Sequence, residues 1–193
     1  MFKMQKITKK WIAREFIIIV AALVLIETLA IVITRESFYS SARQQVKTNA
    51  AVISNVLTTY SLDTDANFTE RIRELVENFP DKDVMELVAI DRNKKPIMSS
   101  SGFGPLDSGG LEDIEEALNS DSKMGDGMQK ISGENVYCVS IIAPTQVGDV
   151  LALRLMASFE PADKMILRLS LVYVAIDLAV LIFILLKNMW FLH

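Results

Sequence analysis

Cysteine and histidine are nearly missing from this 193-residue chain, each occurring once, as Cys138 and His193. A single cysteine excludes an internal disulfide, so any folded domain must hold together by burying apolar surface. One histidine leaves no Ser-His-Asp set and no His/Cys cluster with metal-ligand spacing. The glycine-rich run 101–110 (SGFGPLDSGG) lacks the Lys-Ser/Thr ending of a phosphate-binding loop. There is no internal repeat and no low-complexity tract. These absences predict a chain without catalytic machinery of its own.

Apolar residues make up 51% of the chain while charged residues stay at 23%, so the apolar excess must be concentrated. It lies in residues 16–33 (FIIIVAALVLIETLAIVI) and 166–186 (ILRLSLVYVAIDLAVLIFILL), each close to the roughly 20 residues that cross a bilayer as a helix. Thr34, Arg35 and Glu36 follow the first segment in place of a cleavage site, so it reads as a retained span and not a signal peptide. Lys3, Lys6, Lys9, Lys10 and Arg14 precede it and Lys187 follows the second, which predicts both termini in the cytoplasm. Trp11 and Trp190 fall where interfacial aromatics belong. The expected division is a basic N-terminus (1–15), a first transmembrane helix (16–34), an extracytoplasmic domain (35–164), a second transmembrane helix (165–186) and a short cytoplasmic start of a linker (187–193). Between Glu36 and Lys164 there are 21 acidic and 12 basic residues, a net charge of −9. Such a balance disfavours nucleic acid and suits either cations and basic peptides or simple solubility beside a negative membrane.

Tyr39, Ala42, Val46, Ala50, Ile53, Leu57 and Tyr60 recur at spacings of three and four, a helical stripe continuing out of the first apolar segment as one rod. Residues 62–67 (LDTDAN) read as a break. Asn67 and Glu70 form a capping-box pattern opening a second helix, with Phe68, Ile72, Leu75, Val76 and Phe79 on one face and Pro80 ending it. The period then changes. Residues 84–91 (VMELVAID) and 96–100 (PIMSS) read as paired strands joined by 92–95. A loop over 101–110 leads to a short acidic helix at 111–119, and 120–127 reads as another loop. Strands follow at 128–131, 136–143 and 150–159, with glycine-containing turns at 132–135 and 145–149. This order predicts an α+β domain, a five-stranded antiparallel sheet with helices against it.

A long helix leaving a span, a strand ending in Asp91, a polar turn, the run Pro96-Ile97-Met98-Ser99-Ser100-Ser101-Gly102-Phe103 and three closing strands resemble the single-Cache, PAS-like extracytoplasmic sensors of bacterial receptors. The sensor region of sensor histidine kinases in Gram-positive bacteria is the nearest likeness. The resemblance covers about residues 35–164, and with the flanking spans nearly the whole chain. It implies a PAS-like/Cache domain between two transmembrane helices, a bacterial cytoplasmic-membrane location, a homodimer, and a signal carried from an extracytoplasmic ligand to a histidine kinase. Such receptors continue past the second span into a HAMP linker and a kinase domain, to which ATP, magnesium and the response regulator belong. This sequence stops at His193, so no cofactor and no phosphoacceptor role are assigned to it. A chemoreceptor or cyclase could carry the same front end, and a two-span envelope adaptor is the rival from another class. The dimer is expected along Val46, Ala50, Ile53 and Leu57.

Three constellations stand out. Glu27 and Asp177 are carboxylates inside the apolar segments, where each costs on the order of 3 kcal/mol. Their depths agree, so they either meet in a four-helix dimer bundle or face water defects and neighbouring proteins separately. Glu112, Asp113, Glu115, Glu116 and Asp121 form an acidic patch that either holds divalent cations, as acidic patches do in some PAS-like sensors, or marks the solvated side of a helix whose apolar stripe is Leu111, Ile114 and Leu118. Ser99, Ser101, Tyr137 and Arg154 are the polar side chains expected near a ligand pocket on the sheet face away from the long helix. Arg154 alternates with Ala152 and Met156, which makes it either a buried cation able to grip a carboxylate or a salt-bridged arginine.

Overall fold

The computed structural model describes residues 2–60, 65–101, 110–144 and 149–192. Half of the expected break at 62–67, most of the glycine-rich loop and most of the 145–149 turn lie outside the described residues, as does His193. The side chains of Lys3, Lys6, Lys9, Lys10 and Trp190 lie outside them too. In chain order the elements are α1 (Phe2–Tyr60), α2 (Asp65–Glu77), β1 (Glu86–Asp91), β2 (Pro96–Ser99), α3 (Glu112–Asn119), β3 (Met124–Ile131), β4 (Glu134–Ile142), β5 (Val150–Ser158) and α4 (Glu160–Leu192). They form two compact units, Met1–Phe38 with Ala162–His193, and Tyr39–Pro161.

In the first unit, the apolar parts of α1 and α4 are each long and apolar enough to cross a membrane, and neither is buried by protein. Ile17, Leu25, Ile33, Leu167, Leu171 and Phe183 are more than half exposed. Half-buried positions of α1 in this unit include Val20, Leu23, Glu27, Ala30, Ile31 and Thr34, at the three-and-four spacing of a helix seam.

The second unit is an α+β domain. Its five strands are antiparallel in the order β2-β1-β5-β4-β3. The central strands are the most apolar, as strands covered on both faces must be, with Leu87, Ala89, Ile90, Leu153 and Leu155 fully buried. Val46, Ala50, Ile53 and Leu57 of α1 are 0–4% exposed, packed into this domain's own core. The stripe expected to be a dimer seam therefore serves the chain's own fold. Tyr39 stacks on Phe159 with ring centroids 4.4 Å apart.

Some boundaries differ from the sequence reading. Asn67 lies inside α2, two residues after its start. β3 begins at Met124, so the second half of the supposed loop 120–127 is strand. Gly125 and Gly127 look like loop residues in sequence, but Gly125 sits under α3, where a Cβ would come within 2.2 Å of the Asp113 carbonyl oxygen. The glycine lets helix backbone approach strand backbone. The helix that carries the second apolar segment begins at Glu160, where Ser158 Oγ accepts the Glu160 N–H at 3.1 Å directly after β5. The β3–β4 turn needs only Ser132 and Gly133, both at positive φ, as a two-residue hairpin requires.

Candidate functional site

Strand alternation divides the candidate residues between two faces. The register places Arg154 opposite Val88 on one side and Ser140 on the other, with Ser99 opposite Val88 in turn. Arg154 and Ser99 thus share a face, separated by Val88. Tyr137 pairs with Ala157, one residue out of phase, and points to the opposite face, where α1 packs. The sequence reading grouped Tyr137 with Arg154, but the β4–β5 register puts the sheet between them.

Arg154 is fully buried. Its Nε and Nη2 grip the two carboxylate oxygens of Asp113 at 2.8 and 2.7 Å, a side-on fork that suits guanidinium geometry. Asp113, also 0% exposed, accepts further bonds from Ser140 Oγ at 2.6 Å and Gln129 Nε2 at 2.7 Å. Arg154 Nη2 also donates to Gln129 Oε1 at 2.7 Å and the Gly110 carbonyl at 2.9 Å. The Asp113 carboxylate thus accepts four hydrogen bonds, which offset the cost of burying it. The cluster ties α3, β3, β4 and β5 together, beside an apolar group of Val88, Ile90, Ile114 and Ala152.

The acidic helix is accordingly split. Asp113, Ile114 and Ala117 are its buried residues, while Leu118, expected on the apolar stripe, is 38% exposed. Glu112, Glu115, Glu116 and Asp121 are exposed. Glu115 pairs with Lys94 at 3.0 Å and Glu116 accepts the Asp126 N–H at 3.0 Å. Among the described residues, no group of three or more His, Cys, Asp or Glu side chains is arranged to hold a metal ion. Ser99 and Ser101 bond each other at 2.8 Å and both donate to Glu86 Oε1.

On the α1 face, Tyr137 donates to Asp126 Oδ2 at 2.6 Å, and Lys47 of α1 pairs with Asp126 Oδ1 at 3.0 Å. Burial, then the adjacent Asp126 carboxylate, pushes the Tyr137 hydroxyl up to about 12. Burial pushes Asp126 up, but the bonds from Tyr137 and Lys47 outweigh it and hold the carboxyl below its ordinary value. Lys47 is raised by its bond to Asp126. Burial, helped by the Asp113 and Glu112 charges, pushes the Cys138 thiol up to about 12 despite the nearby Arg154.

A cleft of about 410 Å³ opens at the β3 edge, lined by Gly110, Glu112, Gly127, Met128, Gln129 and Lys130. Two of these, Gly110 and Gln129, accept bonds from Arg154, so the cleft is anchored to the buried cluster. In the other unit, Glu27 and Asp177 line one cavity of about 210 Å³ with Val20, Leu23, Val24, Val174, Leu178 and Leu181. The sequence reading missed Gln129, Ser140, Gly125, Asp126 and Lys47. Ser140 was the most findable, since it interrupts the apolar run 136–143 in phase with Cys138.

No protein-family model matches the chain, and no curated protein matches it in sequence.

Proposed function

We propose that this chain is the transmembrane sensing module of a bacterial receptor of the sensor histidine kinase type, with a PAS-like sheet domain outside the membrane. The observation that carries this reading is continuity. α1 is a single helix from its apolar part through Val46, Ala50, Ile53 and Leu57, which are core residues of the sheet domain. β5, a strand inside the sheet, passes through the buried Phe159 straight into α4. Both apolar helices are thus continuous in the chain with core elements of the sheet domain, with only Phe159 between β5 and α4. Lys3, Lys6, Lys9, Lys10 and Arg14 before the first apolar segment, with Lys187 after the second, favour cytoplasmic termini. Glu27 and Asp177, facing one cavity, supply a polar contact that two helix arrangements would make differently.

The test is a chimera in which a HAMP linker and kinase core follow Lys187, reconstituted in nanodiscs and assayed for autophosphorylation. Insertion of a Gly-Ser-Gly-Ser segment between Phe159 and Glu160 should uncouple the kinase and change its basal rate severalfold. If that insertion and Glu27→Gln both leave the rate unchanged, the module transmits nothing, and an envelope adaptor becomes the better account.

A further inference from the structure

The sequence treats the two edges of the sheet differently. β2 is four residues long and begins with Pro96, features that keep an edge from pairing. β3, the other edge, runs eight residues without a register shift. The Ile142 N–H bonds the Lys123 carbonyl, which fixes the phase of the antiparallel ladder. Gly125, Gly127, Gln129 and Ile131 turn their backbone groups toward β4, while Asp126, Met128 and Lys130 turn theirs outward. Glu116 takes the Asp126 N–H. Among the described residues nothing occupies the outward groups of Met128 and Lys130.

The cleft lies along this open stretch. At Gly127 a Cβ would meet nothing within 4 Å, so a side chain from an added strand has room there. Glu112 lines the same cleft and makes no ion pair among the described residues. A residue placed opposite Gly127 points to the face on which α3 lies, toward Glu112.

A second copy of the chain suits this edge poorly, because each copy carries a net charge of −9 between Glu36 and Lys164 and the two repel. The same charge favours a basic partner.

We propose that the outer edge of β3, at Met128 and Lys130, is a docking strand for an extended peptide segment of another molecule, with a Lys or Arg side chain entering the cleft over Gly127 to meet Glu112. This assignment rests on the sensor reading and gives it a partner class. Strand addition supplies affinity through main-chain bonds and specificity through the side-chain pocket. Asp126, the next outward residue, is held by Lys47 of α1 and by Tyr137, so a strand added two residues away acts on the helix that is continuous with the first apolar segment.

The experiment titrates the full chain, in phosphatidylcholine nanodiscs, with acetyl-Lys-Val-Lys-Val-Lys-Val-amide by calorimetry. Controls are the same peptide N-methylated on alternate residues and a version with norleucine for lysine. Met128→Pro removes an outward N–H that the β4 ladder does not use, and Glu112→Gln removes the cleft's charge. Saturable binding is expected, weakened about tenfold by N-methylation and by Met128→Pro. Glu112→Gln should weaken the lysine peptide about threefold and leave the norleucine peptide unchanged. Absence of saturable binding, or equal binding of the N-methylated peptide, overturns the docking strand. Neither result touches the sensor reading, which the chimera's phosphorylation rate judges without any peptide.

Discussion

Two ion pairs hold helices to opposite faces of one sheet, and they differ in almost everything except length. Arg154 to Asp113 spans 2.7 Å with both side chains 0% exposed, whereas Lys47 to Asp126 spans 3.0 Å with side chains 48% and 39% exposed. Distance therefore does not rank them. The buried pair is worth keeping only as a unit, because either partner alone would be an uncompensated charge in a low dielectric. The exposed pair is hydrated and screened, so it contributes little and can be remade without threatening the fold. One contact is suited to locking α3 in place, the other to reporting a shift of α1.

The largest expected effect breaks the buried member. Asp113→Ala should destabilise the sheet domain by about 3–5 kcal/mol, read as loss of the strand circular-dichroism signal in denaturant titration of the full chain. Replacing both partners, Asp113→Leu with Arg154→Met, should recover most of that loss. A cost under about 1 kcal/mol for the single change would show that water reaches the cluster. Next in size is Gly125→Ala. The new Cβ would lie 2.2 Å from Asp113 O and 2.5 Å from Ala117 N, both backbone atoms, so α3 must move at a cost of about 1–3 kcal/mol. Gly127→Ala, with open space above it, should change stability by less than about 0.5 kcal/mol. Equal effects at the two glycines would contradict the packing of α3 on β3.

The same contrast explains what the sequence made legible. Local pattern carried the element order: the short apolar runs over 86–91 and 150–158 and the three-four stripe of α1 were readable because each follows from one element's own geometry. The strand limits of β3 were not readable, since Gly125 and Gly127 carry a loop signal that only a helix packed above them reinterprets. Arg154 and Asp113 each drew notice, but in different constellations. They are 41 residues apart, and nothing local says that the second acid of an acidic helix turns inward while its neighbours Glu112 and Glu115 stay in water. Tyr137 was assigned to the wrong face for a similar reason. Its side is set by the Ser140↔Arg154 register, and a one-residue slip in a strand inverts every side chain. Pairing between distant elements is information about tertiary structure, which composition and spacing within an element do not contain.

The exposed side of the comparison gives smaller effects. Tyr137 holds its proton up to about 12 in the fold, against 10.0 ordinarily, so between those pH values the folded chain binds more protons than the unfolded one. Stability must fall as pH rises through that window, on the order of 1–2 kcal/mol in all. Lys47 adds to the same trend, because a lysine raised by its partner stabilises fully below its ordinary value and loses that contribution as pH climbs through its folded value. Tyr137→Phe should flatten the alkaline slope seen in melting curves, and an unchanged slope would mean that the hydroxyl is already hydrated. Smallest is Lys47→Met, expected to cost at most about 1 kcal/mol, with the cost vanishing as salt is raised toward 1 M. It is also the most telling substitution for the proposed function. Asp126 would keep its bond from Tyr137 and lose its tie to α1, so the domain should melt almost normally while the chimera's phosphorylation rate shifts. A variant that melts normally and phosphorylates normally would deny the Lys47 contact any part in transmission, and leave the continuity of α1 and of β5 with α4 to carry the signal alone.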